Sequence, residues 1–251
     1  MFALLHAPSP NMADAVRTFA HVEPIDLDRV GHQHAEYRRA LERAGATCIE
    51  LAVHLDCPDA IFIEDTAVIL DEIAVLGSMG TPSRVREVQG VEPELRRRRP
   101  LARIEGAATL EGGDVLRVGR ILFVGATSRT NAGGADALAR IAEPLGYEVR
   151  RVETRGCLHL KTACTALPDG TMLVVPGCVD ERALGAPTLS VADGEVGGAN
   201  VVVIGRHVIM AAAFPKTIAL VQARGFDVIA VDLSEIAKAE GSATCLSLLV
   251  A

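Results

Sequence analysis

The sequence predicts an α/β fold in which five similar units close into a ring, a fivefold pseudo-symmetric α/β propeller, and three observations predict it. The first is a set of short apolar strands, each headed by a polar residue. These are Phe62-Ile-Glu64-Asp65-Thr-Ala-Val-Ile69, Thr109-Leu-Glu111-Gly-Gly-Asp114-Val-Leu116, Cys157-Leu-His159-Leu-Lys-Thr-Ala163, Gly198-Ala-Asn200-Val-Val-Val-Ile204 and the tail from Gly241 through Cys245. The polar heads stand at 64, 111, 159, 200 and 245, so the intervals are 47, 48, 41 and 45 residues, a period typical of propellers and solenoids. The second observation is that a further short apolar strand follows each head: Ile73–Gly77, Ile121–Gly125, Met172–Pro176 and His207–Met210. The last copy has no such partner, and the N-terminal strand Phe2–His6 is expected to close it. The third is that helix, strand, loop, polar-headed strand and second strand recur in that order. Such units cannot each bury an apolar face alone, whereas a closed ring of five can. Its polar heads then converge near the axis.

Taken in order, Phe2–His6 reads as a strand and Ala7–Val30 as a Pro-rich irregular stretch, long enough to be a lid or binding loop. His32–Ala44 has the 3.6-residue apolar period of an amphipathic helix stopped at Gly45, and Thr47–Val53 alternates as a strand does. Ser83–Arg97 is the next helix and Leu101–Glu105 the next strand. Asn131–Leu145 is a helix capped by Asn131 or Thr130 and ended by Gly146, with Tyr147–Val152 extended beyond it. The helix of the fourth copy, around residues 180–196, is weak and Gly-rich, so a short or irregular element is expected. Phe214–Arg224 opens near Pro215, ends at Gly225 and leads into the strand Phe226–Val231.

The chain has 251 residues and a formal net charge of −7, enough length to bury a substantial core and the wrong sign for nucleic acid as a main partner. No linker, low-complexity tract or charge block interrupts the repeat, so residues 1–251 are read as one domain. The basic run Arg96–Arg99 fits a solvated helix C-terminus. Six cysteines without a framework of spacings fit reduced thiols in the cytoplasm. The first ten residues lack the charged n-region of a signal peptide, and the apolar runs fall well short of the ~20 residues that span a bilayer. Neither a membrane nor a nucleic-acid partner is expected. A homodimer through exposed sheet edges is an option that the sequence does not demand.

The gathered heads have chemical meaning. A thiol, an imidazole and at least two carboxylates in one narrow site are the parts of covalent catalysis: Cys245 attacks, His159 moves protons, and acids hold a cationic group. Carboxylates facing a preformed pocket suit a guanidinium, which pairs with them in bidentate fashion. Glu64, Asp65 and Glu111 lie within apolar strand patterns, where an unpaired charge is expensive. Other motifs fail. The His-x-Glu and Pro-Cys-x-x-Cys of zinc deaminases are absent, His32 and His34 would point to different helix faces, and Gly77-Ser-Met-Gly80 has no Gly-Lys-Ser/Thr. No metal and no cofactor are expected, and a zinc ion on Cys245 and His159 would inhibit by occupying the nucleophile.

The segments Phe62-Ile-Glu-Asp65, Leu110-Glu-Gly-Gly-Asp114, Ser128-Arg-Thr-Asn131, Leu158-His-Leu-Lys-Thr162 and the Cys245 tail resemble those of the dimethylarginine dimethylaminohydrolases, in the guanidino-group-modifying (pentein) superfamily of fivefold α/β propellers. The resemblance runs along nearly the whole chain. It implies hydrolysis of an Nω-methylated arginine, a small-molecule substrate, to citrulline and a methylamine. Cys245 would form a covalent thiouronium intermediate, with His159 as general acid and base. It further implies that Glu111 holds the guanidinium and orients His159, and that Asp65 binds guanidinium nitrogens. Asp59 and Glu64 would line the pocket, Phe62 would form an apolar wall, and Arg84 and Arg129 would grip the substrate's α-carboxylate. The loop Ala7–Asp14 lacks the Arg-Ser-Leu-type lid sequence of that family. Two other readings stand beside this one: an arginine deiminase or amidinotransferase of the same superfamily, and a non-catalytic propeller that binds a partner.

Overall fold

The computed structural model describes residues 1–19 and 23–250. They form five three-stranded sheets of one topology. In each, an inner strand pairs antiparallel with a middle strand, and the middle strand pairs parallel with an outer one. The inner strands are Ala67–Ile69, Val115–Val118, Cys164–Ala166, Val201–Ile204 and Leu248–Val250. Parallel neighbours cannot be joined by a hairpin, so a helix carries the chain from each middle strand to its outer partner. These helices are Leu27–Arg43, Val85–Arg96, Ala132–Ala142, Glu181–Leu184 and Pro215–Ala223.

The ring closes as expected from the missing strand of the last copy. Leu248 pairs antiparallel with Leu4, and Leu4 pairs parallel with Ile49, so the two ends of the chain share one sheet. Tyr37, on the first helix, is fully buried and reaches Oγ of Ser247 with its hydroxyl at 2.8 Å, which ties that helix to the residue just before the last inner strand. Residues from all five inner strands, among them Val68, Val115, Ala166, Val203 and Leu249, line an axial channel of about 430 Å³.

Local boundaries differ from the sequence reading for identifiable reasons. The first helix begins at Leu27 rather than His32, because the Asp26 carboxylate accepts from the Arg29 amide at 3.1 Å and caps it. Asn131 is the cap of the third helix, its side chain accepting from the Gly134 amide at 2.8 Å. The fourth helix is a single turn ended by Gly185 at φ 61°, the short element that a Gly-rich stretch implies. In the basic run, Arg96, Arg97 and Arg98 pair with Glu92 and Glu94 one turn earlier. The expected irregular stretch 7–30 includes residues 20–22, which lie outside the described residues.

Candidate active site

The polar heads do not sit on strands. Each unit places a short helical turn just before its inner strand: Ile63–Thr66, Gly112–Asp114, Leu160–Ala163, Val196–Ala199 and Thr244–Leu246. Glu64, Asp65 and Cys245 lie within these turns, while Glu111, His159 and Asn200 flank them. Close approach of the turns explains the Gly-Gly pair after Glu111. A Cβ on Gly112 would overlap the Glu64 carbonyl oxygen, and one on Gly113 would sit 2.6 Å from Oδ1 of Asp65 and 2.8 Å from the His159 ring.

A small cavity of about 20 Å³ lies at this end of the axis, lined by Asp59, Phe62, Asp65, Arg84, Arg129, His159 and Cys245, with Val16, Leu158, Ala239, Glu240 and Gly241 completing it. Seven of the nine residues singled out in the sequence therefore share one wall. Glu111 stands behind His159, fully buried, with Oε2 2.8 Å from Nε2 of the imidazole and Oε1 accepting from the Gly80 amide at 2.9 Å. Glu64 departs from expectation. It lines the axial channel on the far side of the turn, ion-paired with Lys161 at 2.6 Å, because consecutive residues of a 3₁₀ turn diverge by about 120°.

The charges are closely balanced. Burial works against the His159 imidazolium, but Asp65, the hydrogen bond to Glu111, and Asp114 outweigh it and hold its pKa at about 9, up from 6.5. Burial works against the Asp65 carboxylate too, and here His159 and Arg84 prevail, so its pKa is lowered. Cys245 keeps partial solvent exposure, yet burial first, then Glu64 and Asp65, push its thiol up to about 12. The resting pair is thus a neutral thiol and an imidazolium. Asp114 anchors the His159 turn by accepting from the Leu160 amide at 2.9 Å and from the Thr127 hydroxyl at 2.6 Å.

The two arginines are not equivalent. Arg84 is spoken for: Nη1 donates to Asp65 at 2.7 Å, Nε and Nη2 reach Glu87 at 3.0 and 2.9 Å, and Nη2 also reaches the Phe62 carbonyl at 3.1 Å. Arg129 has hydroxyl partners, Thr81 and Thr18, with Glu111 at 3.9 Å, which leaves its charge freer for an incoming anion. The N-terminal segment bridges the site. The Val16 amide donates to Asp59 at 3.2 Å, Arg17 reaches the Lys238 carbonyl at 3.0 Å, and the Thr18 amide reaches Glu240 at 2.8 Å. Asp65, Glu111 and His159 offer ligand atoms within 4.8 Å of one another, but Arg84 and the imidazolium already put positive charge there.

No protein-family model matches the chain. It is 38% identical to the N(G),N(G)-dimethylarginine dimethylaminohydrolase of Streptomyces coelicolor over 98% of this chain and 95% of that protein. The chain belongs to the dimethylarginine dimethylaminohydrolase family. The enzyme of that name from Pseudomonas aeruginosa is 30% identical over 98% of this chain and 97% of its own length. A solved structure of a cysteine-to-serine variant of the Pseudomonas aeruginosa protein, in complex with citrulline, superposes with a TM-score of 0.94, covering 98% of both chains at 29% identity.

Within this dimethylarginine dimethylaminohydrolase fold, several neighbours of the site escaped the sequence reading. Asp114 and Lys161 stood inside recognised motifs, but nothing in a motif says which way a side chain turns. Glu87 follows Arg84 by three residues, the helical spacing that lets the pair meet. Glu240, at φ 63°, had no signal beyond its place before Gly241.

Proposed function

We propose that this protein hydrolyses Nω-methylated arginine, asymmetric dimethylarginine or monomethylarginine, to citrulline and the corresponding methylamine. The observation that carries the reading is the meeting of Cys245, His159 and Asp65 on one small cavity, from three separate turns, with Glu111 hydrogen-bonded to His159. Asp65 and Asp59 receive the guanidinium, Phe62 packs against the substrate's apolar stem, and Arg129 takes the α-carboxylate. Arg84 serves the guanidinium end instead, by holding Asp65. Glu64 contributes from the channel side.

The thiol of Cys245 is held neutral by burial and the acids around it, so a substrate that brings a positive charge is what favours the thiolate. The thiol proton passes to solvent and Sγ attacks the guanidinium carbon. The bond from that carbon to the methylated nitrogen breaks as the His159 imidazolium protonates the departing amine. Neutral His159 then takes a proton from water, whose oxygen bonds to the carbon. The C–S bond breaks, Sγ recovers the second proton, and citrulline leaves. Holding thiol and carbon together supplies orientation worth up to ~7–11 kcal/mol in favourable cases.

The reading treats residues 1–251 as one catalytic domain. The six free cysteines support a cytoplasmic setting, and no helix among the described residues is long and apolar enough to cross a membrane. A homodimer is tested by sedimentation. For the activity, citrulline is measured after incubation with asymmetric dimethylarginine, monomethylarginine and arginine. Citrulline from the methylated substrates well above that from arginine is expected. Preference for arginine would make the protein a deiminase, and no citrulline from any of the three would leave a binding propeller.

A further inference from the structure

The axial channel and the active-site cavity are walled by the same three turns. Asp65 lines the substrate cavity and its neighbour Glu64 lines the channel; Cys245 lines the cavity and Thr244 the channel; His159 lines the cavity and Lys161 the channel. The Glu64–Lys161 ion pair stands in that shared wall, Oε1 to Nζ at 2.6 Å. The outer mouth carries Asp71 and Arg117, an ion pair partly open to solvent.

The other Glu64 oxygen, Oε2, is buried with no partner in good hydrogen-bond geometry among the described residues, although the Thr244 hydroxyl is close enough to favour its charged form. A buried carboxylate oxygen ordinarily finds a donor, and a channel of about 430 Å³ has room for many waters at ~30 Å³ each. On the opposite side the substrate cavity has space for about one water and the bridge from Val16 to Thr18 spans it in front; that bridge must open for substrate to enter, and once it has closed again the channel is the side that already holds water.

We propose that the axial channel supplies the hydrolytic water and that the Glu64–Lys161 pair is the gate it passes. This rests on the covalent reaction set out above. In that step the water oxygen bonds to the amidino carbon, one water proton goes to His159, the C–S bond breaks with its electron pair returning to Sγ, and the second proton joins Sγ. No further reactant enters. The first half-reaction, which expels the amine, needs no water and is independent of the channel.

The test narrows the channel without touching the site. Ala166 lies on a partly exposed stretch of channel wall, so Ala166→Phe places its ring in existing space. Rapid acid quenching with asymmetric dimethylarginine is followed by dimethylamine release, citrulline formation and the mass of the peptide bearing Cys245. Ala166→Phe is expected to leave the first dimethylamine turnover at the wild-type rate while slowing citrulline about tenfold, an added ~1.4 kcal/mol of barrier, with the covalent adduct accumulating. Val203→Phe, on another inner strand, is used if Ala166→Phe does not fold, and the same split is expected. Unchanged citrulline formation in a folded variant, or equal slowing of both halves, overturns the channel's role while the reaction stands. A wild-type protein that forms neither dimethylamine nor adduct removes the reaction and the proposal together.

Discussion

Replacing Glu111 with glutamine tests the electrostatic frame of the site most sharply. Glutamine keeps the shape and a hydrogen-bonding oxygen but removes the charge 2.8 Å from Nε2 of His159. The pKa of that histidine stands at about 9 against an ordinary 6.5, which at 1.36 kcal/mol per pKa unit is about 3 kcal/mol in favour of the imidazolium. Burial opposes that preference, so Asp65, Glu111 and Asp114 together supply more than the net figure. If Glu111 carries about a third of it, Glu111→Gln lowers the proton affinity of His159 about tenfold, on the order of 1 kcal/mol. The assay is a proton NMR titration of the His159 ring from pH 5 to 11. A raised folded pKa also stabilises the fold below pH 6.5, and that stability is lost as pH rises through 9. In Glu111→Gln the loss is smaller and is complete at a lower pH. A folded variant whose His159 titrates as in the wild type would refute the share of the raised pKa assigned to Glu111.

Three further outcomes follow from the same geometry. Gly113→Ala places a methyl group 2.6 Å from Oδ1 of Asp65 and 2.8 Å from the His159 ring. It is expected to cost roughly 1–3 kcal/mol of stability in denaturant unfolding and to lower kcat, and wild-type values for both would mean the turns do not meet as described. Alkylation of Cys245 by iodoacetamide, followed on its own peptide, is expected to climb with pH beyond 9 without a neutral plateau, because burial and the nearby acids push the thiol up to about 12; a plateau near pH 7 would mean a resting thiolate. Tyr37→Phe removes the buried hydroxyl bonded to Ser247 and is expected to cost about 1 kcal/mol in urea unfolding, with no change in KM.

Much of this molecule was legible because each structural unit repeats one chemical idea at one spacing. The polar residue before each inner strand marks the period, and the lack of a second strand after Cys245 foretold that Phe2–His6 would close the ring. Seven of the nine residues named from the sequence gather at one cavity for the same reason. What the sequence could not fix was direction. Glu64 and Asp65 are adjacent acids in one apolar setting, yet a tight turn sends one into the channel and the other into the site. Arg84 and Arg129 look alike as letters, and only the position of Glu87 makes the first a structural counterion. The cap at Asp26 was hidden in a Pro-rich stretch whose lack of period masked the start of the helix.

The central claim is that the thiol near the C-terminus performs covalent chemistry on a guanidinium held by acids from other turns. Citrulline formation by Cys245→Ser, measured beside the wild type with saturating asymmetric dimethylarginine, tests it most directly. Complete loss of turnover, in a variant that still unfolds at the wild-type temperature, is the result this account requires. Citrulline produced at the wild-type rate by Cys245→Ser would contradict it.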